Sequence, residues 1–112
     1  MKVAVSARGR DLSSMLDPRF GRAPYLIIYD TESNAFEVID NTSAGQMAHG
    51  AGIQTAQEVV NQRADLVVSG NFGPKACQVL QAANIKLAMS RETSISEVLE
   101  LVRSDKLTAF TG

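Results

Sequence analysis

Short valine-rich apolar runs alternate along this chain with polar, glycine-bearing stretches, and the apolar period lengthens in its second half. "KVAVS" (Lys2 to Ser6) is a run bounded by polar residues and reads as a buried strand. "PYLIIYD" (Pro24 to Asp30) reads as a second strand and "AFEVID" (Ala35 to Asp40) as a third, with "TESN" a turn between them. In the third, Phe36, Val38 and Asp40 fall on one side, with Glu37 and Ile39 on the other, so the pair forms an antiparallel hairpin. From Ala51 the period becomes helical: Ile53, Ala56, Val60 and Val59 share a face, and Gln57, Glu58 and Gln62 lie outside it. "ADLVVSG" is a buried strand that stops at Gly70. "NFGPKACQVLQAAN" starts a helix with Pro74 in its first turn, where a missing N–H costs nothing, and Ala76, Val79, Leu80 and Ala83 make its stripe. "IKLAM" is a fifth strand. "SRETSISEVLELVRSDKL" is a last helix, with Ser94 and Glu97 at capping-box spacing and Ile95, Val98, Leu99 and Val102 as its stripe.

Strands that alternate with helices require a parallel portion, and the hairpin adds an antiparallel edge. The expectation is an α/β domain over residues 1–112: a mixed five-stranded sheet with helices packed against it. Two connections stand out. "ARGRDLSSMLDPRFGRA" is long for a compact domain, and such loops are more often functional than accidental. "NTSAGQMAHG" is polar and carries the only histidine, His49.

The 112 residues suffice for one core, and 45% hydrophobic, 21% charged and a net charge of −1 are the marks of a globular chain. That balance gives no bulk attraction to nucleic acid or to an anionic membrane. No apolar run is long enough to span a bilayer, and the opening "MKVAVSARGRD" lacks a secretory pattern. One cysteine, Cys77, excludes an internal disulfide and a four-cysteine site, and fits a reducing cytoplasm.

Ligands of open α/β sheets gather outside the carboxyl ends of the strands. Three segments belong there: the long first loop, "AHGAG" and "SGNFGPKA". The last two run into helix N-termini, whose N–H groups and dipole favour an anion, and Arg22 and Lys75 could add positive charge. The plainer role for these glycines is a tight strand-to-helix turn. His49 is a candidate metal ligand or proton shuttle on a glycine-flanked loop; its plainer role is a polar residue near a helix start. Cys77 lies near a helix N-terminus, which lowers a thiol pKa, yet a small buried hydrophobe fits it better. Met15, Met47 and Met89 are weaker candidate ligands. Neither a P-loop, G-x-G-x-x-G nor G-x-S-x-G occurs, and Asp11, Asp17, Asp30, Asp40 and Asp65 are too scattered to foretell a two-metal site.

Taken together, "MKVAVS", "FGRAPYLIIYD" (Phe20 to Asp30), "HGAGIQTAQ" (His49 to Gln57) and "GNFGPKA" (Gly70 to Ala76) resemble the dinitrogenase iron-molybdenum cofactor-binding family. That family includes the NifX and NafY types and the C-terminal domain of some NifB proteins. The resemblance covers nearly the whole chain. It implies a ribonuclease H-like three-layer fold with strand order 3-2-1-4-5, in which the fold name says nothing about nuclease activity. It also implies a cargo: an iron–sulfur precursor or the finished iron-molybdenum cofactor, exchanged with cofactor-assembly proteins as donor and acceptor. His49 matches the histidine of the family's H-G-[AS]-G motif, with Gly50 and Gly52 beside it. Phe20, Gly21 and Arg22 match F-G-R, and Gly70, Asn71, Gly73 and Pro74 match G-N-[FIL]-G-P. These residues are expected to wall the site, with His49 and then Cys77 as candidate metal ligands. The expected function is a non-enzymatic cluster carrier, monomeric or weakly dimeric. The alternative is a small-anion or nucleotide-binding regulatory module using the same loops without metal.

Overall fold

Both sides of the first strand are buried, and that decides the layering. In the computed structural model, which describes residues 1–110, β1 spans Lys2–Ala7. Val3, Val5 and Ala7 point into one apolar cluster and Ala4 into another. β2 (Tyr25–Asp30) and β3 (Phe36–Asp40) are the expected hairpin, with β2 antiparallel to β1. β4 (Leu66–Ser69) runs parallel to β1, and β5 (Lys86–Met89) parallel to β4.

Helices cover both faces. α2 (Ala51–Asn61) and α3 (Pro74–Ala82) bring Ala56, Val59, Ala76 and Leu80 against Ala4, Leu26, Ile28, Val67 and Leu87. On the other face α4 (Ile95–Arg103) brings Ile95, Val98 and Leu99 against Val3, Val5, Ile27 and Val68. The long first loop helps to cover that face. Leu16 is fully buried there, and its N–H donates to the Thr93 carbonyl at 2.9 Å.

Among the described residues the sheet has six strands where five were expected. The order is β3-β2-β1-β4-β5-β6, so 3-2-1-4-5 is kept and one edge is extended. β6 is only Thr108–Ala109, antiparallel to β5, and both residues are exposed, so no buried alternation announces it. Phe110 fastens it: its N–H donates to the Leu87 carbonyl at 2.9 Å and its ring packs on Phe72, centroids 5.2 Å apart. The second polar loop also contains a four-residue helix, α1 (Thr42–Gly45), begun by the buried Asn41. The inner face of α2 is Ala51, Thr55, Ala56 and Val59, while Ile53 is 40% exposed. In α3, Cys77 takes the buried place expected of Ala83, which lies beyond the helix and is exposed.

The caps follow local chemistry. Pro74 is the first residue of α3, behind Gly73. Ser94 caps α4 by accepting the Glu97 N–H at 3.2 Å; the Glu97 carboxylate turns to Arg91 at 3.0 Å and not back to the cap. Among the described residues no helix is long and apolar enough to cross a membrane.

Candidate functional site

The chain leaves β1 toward β2 on one side and leaves β4 toward β5 on the other. The carboxyl ends of these adjacent parallel strands are therefore a switch point, where open α/β sheets leave a crevice. Each strand contributes a buried serine near that end. Ser6 Oγ lies 2.7 Å from Ser69 Oγ and 2.7 Å from the Asp17 carbonyl oxygen. Ser69 Oγ lies 3.5 and 3.4 Å from the carbonyl oxygens of Asp17 and Pro18. The two hydroxyls thus pin the first loop across both strands. Gly70 permits the approach, because a Cβ there would stand 2.5 Å from the Pro18 Cβ. Arg19 and Asn71 then form a single parallel bridge.

The same loop packs on the mouth of α2. A Cβ on Gly21 would lie 2.7 Å from the Gly52 nitrogen. Arg22 Nη1 donates to the carbonyls of Gly45 at 3.0 Å and Met47 at 2.5 Å, tying down the end of α1. Behind this contact Thr55 Oγ1 lies 3.1 Å from Asn41 Oδ1, and Asn41 Nδ2 donates to the Ala23 carbonyl at 2.9 Å.

Between the loops lies a cleft of about 600 Å³, bordered by residues 18–22, 48–52, Asn71 and Gly73. It brings together eight of the ten residues expected to wall the site, Phe20, Gly21, Arg22, His49, Gly50, Gly52, Asn71 and Gly73, while Pro74 borders a smaller cavity beside it. Gly70 stands behind it as the turn that admits Pro18. The Phe20 ring belongs mainly to the core, 5.1 Å from Phe72. His49 is exposed, and its ring makes no hydrogen bond among the described residues. Met47 is exposed nearby, its methyl 3.8 Å from where a Gly50 Cβ would be.

Cys77 is not brought to this cleft. It is 3% exposed within the core formed with Phe20, Phe72 and Ala76. Burial pushes its thiol up, against a smaller lowering effect of a backbone hydrogen bond, so the lowered pKa expected of a helix N-terminus is not found. Among the described residues no three His, Cys, Asp or Glu side chains gather to hold a metal ion.

Among the described residues no Asp or Glu borders the cleft, while Arg19 and Arg22 do, Arg19 with its charge paired to the Asp17 carboxylate behind it. α2 and α3 both begin there, at Gly50 and Gly73, with no side-chain cap and no acidic residue in the first turn. Their first N–H groups lack intrahelical partners and carry the positive ends of the helix dipoles. Gly50 holds φ at +80°, a left-handed turn that suits glycine.

Sequence reasoning did not find Arg19. Its guanidinium is 65% exposed and held by the Asp17 carboxylate, 1% exposed, through Nε at 3.1 Å and Nη2 at 2.9 Å. Burial by itself raises Asp17; hydrogen bonds from the Arg19 side chain and backbone, with the charges of Arg19 and Arg8, outweigh it and hold the carboxyl below its ordinary range. The serine pair had a signal: "KVAVS" and "LVVS" are parallel buried strands that end alike.

The family model described as "Dinitrogenase iron-molybdenum cofactor" matches residues 1–105. An uncharacterized protein of Methanocaldococcus jannaschii is 32% identical over 113 residues, covering 98% of this chain and 92% of that one. The apo form of the orange protein from Desulfovibrio gigas superposes with a TM-score of 0.95 at 35% identity, over 99% of this chain and 93% of that one. A candidate NifB protein from Thermotoga, solved by NMR, gives a TM-score of 0.88 at 36% identity, over 99% and 94% of the two chains.

Proposed function

This chain belongs to the dinitrogenase iron-molybdenum cofactor family, and from that premise we propose that it is a non-enzymatic carrier of an anionic metal–sulfur cluster. The cargo is an iron–sulfur cofactor precursor or the iron-molybdenum cofactor, taken from one cofactor-assembly protein and passed to another in the cytoplasm. One observation carries the reading: three motif loops converge on a cleft with two uncapped helix mouths, two arginines and no carboxylate.

The chemistry of that donor set fits a cluster better than a bare cation. A lone metal ion would face two positive helix ends and two guanidinium groups, with a single imidazole to bind it. A polynuclear cluster brings its own sulfides and a net negative charge. It needs few protein ligands, and N–H donors can hold it by its surface. His49, exposed at the rim, is the candidate metal ligand that borders the cleft, and a single weakly held ligand suits cargo that must be released. The orange protein, described in its apo form, lends support as a relative with a ligand-free state to distinguish. The strand order 3-2-1-4-5 within the sheet agrees with a ribonuclease H-like fold, a label that assigns no nuclease chemistry.

The test is uptake of isolated iron-molybdenum cofactor, or its iron–sulfur precursor, by the protein without oxygen. Metal retained after gel filtration is measured for wild type and His49→Ala. Retention by wild type and loss in the variant supports the carrier with His49 as ligand. Equal retention moves the binding to the helix mouths alone. No retention by either sinks the carrier. It leaves the small-anion or nucleotide module that uses the same loops without metal.

A further inference from the structure

Of the seven glycines within the described residues, five have a reason inside the fold. A Cβ on Gly9, Gly21, Gly45 or Gly70 would stand 3.0 Å or closer to a neighbouring atom, and Gly50 has a positive φ. Gly52 and Gly73 are different. A Cβ on Gly73 would meet nothing within 4 Å, and its φ of −71° and ψ of 159° suit any residue. A Cβ on Gly52 would touch only the Ala76 Cβ, at an ordinary 3.5 Å, inside a helix where alanine is the better former. At position 73, which begins α3, serine, aspartate or asparagine would cap better than glycine. Local stability therefore argues against glycine at both positions, and both border the cleft.

A second cavity, of about 270 Å³, opens between the two helix mouths beside Ile53, Pro74 and Lys75. It shares Gly50, Gly52 and Gly73 with the cleft. These backbone positions without side chains are where the two spaces meet. The cleft, of about 600 Å³, is the more spacious of the two. A tetrahedral oxyanion would leave most of it empty.

We propose that Gly52 and Gly73 are the size-determining residues of this site, kept free of side chains so that a polynuclear anion can touch the first turns of α2 and α3 together. This rests on the cluster-carrier reading and deepens it. A methyl at Gly52 intrudes where the two spaces join. A hydroxymethyl at Gly73 fills open cleft and supplies a cap that competes for the same N–H groups. A mononuclear oxyanion is small enough to fit beside either.

The test uses Gly52→Ala and Gly73→Ser, with isolated iron-molybdenum cofactor as the large probe and molybdate as the small one. Expected are a Tm at or above that of wild type and cluster retention lower by about tenfold or more, with a much smaller change for molybdate. Variants that retain cluster as wild type does overturn the size role and leave the carrier reading standing. Wild type that retains none overturns both. Lost retention with a fallen Tm would assign the glycines to the architecture. Equal losses for cluster and molybdate would assign them to N–H donation alone. Either result overturns size selection.

Discussion

Replacing Ser6 by alanine should cost the fold about twice what replacing Ser69 costs. Both hydroxyls are fully buried, and their oxygens are 2.7 Å apart. Ser6 also lies 2.7 Å from the Asp17 carbonyl oxygen, whereas Ser69 reaches the Asp17 and Pro18 carbonyls only at 3.5 and 3.4 Å. Contacts that long are weak hydrogen bonds. Ser69→Ala therefore removes one good bond and leaves Ser6 on its short acceptor, a loss of about 1 kcal/mol. Ser6→Ala removes the short bond and leaves two buried groups, the Asp17 carbonyl and the stranded Ser69 hydroxyl, with only long, weak contacts, a loss of about 2 kcal/mol. In the double variant the stranded hydroxyl is gone, so the total stays near about 2 kcal/mol and falls short of the sum by about 1 kcal/mol. The chain has no tryptophan, so urea unfolding is followed by far-UV circular dichroism. A kcal/mol in a domain of this size moves Tm by roughly 4–8 °C, well within resolution. Equal costs for the two single variants, or strict additivity in the double, would refute the claim that this pair works as a unit with Ser6 at its centre.

Three further outcomes follow from the same geometry. Gly70→Ala should lose about 1–3 kcal/mol in urea unfolding, because the new Cβ would stand 2.5 Å from the Pro18 Cβ and 2.7 Å from its Cα. Asp17 is held below its ordinary value of 3.8, so its contribution is present above that value and is lost as pH falls through the lower folded one; Asp17→Asn should flatten the acid limb of Tm against pH. A limb as steep as that of wild type would remove Asp17 from the account. Cys77 is buried with its thiol pushed up, so a thiol reagent should modify it at the rate of unfolding, and fast labelling of native protein would show the core open there.

The strands that could be read from the sequence are those buried on both faces, because valine and isoleucine runs such as "KVAVS" and "YLIIYD" have few other uses. β6 is two exposed residues whose hold lies in a neighbour, Phe110 on Phe72, which a periodicity cannot express. α1 is four residues long and depends on Asn41, whose N–H donates to the Pro24 carbonyl at 2.8 Å. On α2, hydropathy favours Ile53 for the core over Thr55. The structure reverses them, because Thr55 finds Asn41 inside while Ile53 overhangs the helix mouth. The cleft was legible through glycines and a histidine because helix mouths and close approaches leave a mark in residue type. Arg19 was not, since nothing local says that Asp17 is buried and will hold it.

The three long helices were built to different rules, and the difference tracks the cleft. α4 lies away from it and has a serine cap and Glu97 in its first turn, which satisfy N–H groups and oppose the dipole. α2 and α3 open on the cleft and have neither. The two uncapped mouths lie side by side, and on the proposed reading their donors serve the cargo. Around them the supporting groups are fully partnered: no buried side-chain nitrogen or oxygen among the described residues lacks a hydrogen bond. Serine hydroxyls, Asp17, Asn41 and Thr55 hold the loops from behind, so unmet polar capacity is concentrated on the cleft side. Donors held in place from behind lose little entropy on binding. On the carrier reading proposed above, cargo held mostly through backbone donors and one rim imidazole would leave without breaking a full set of metal–ligand bonds, which is what would separate such a site from a resident cofactor's.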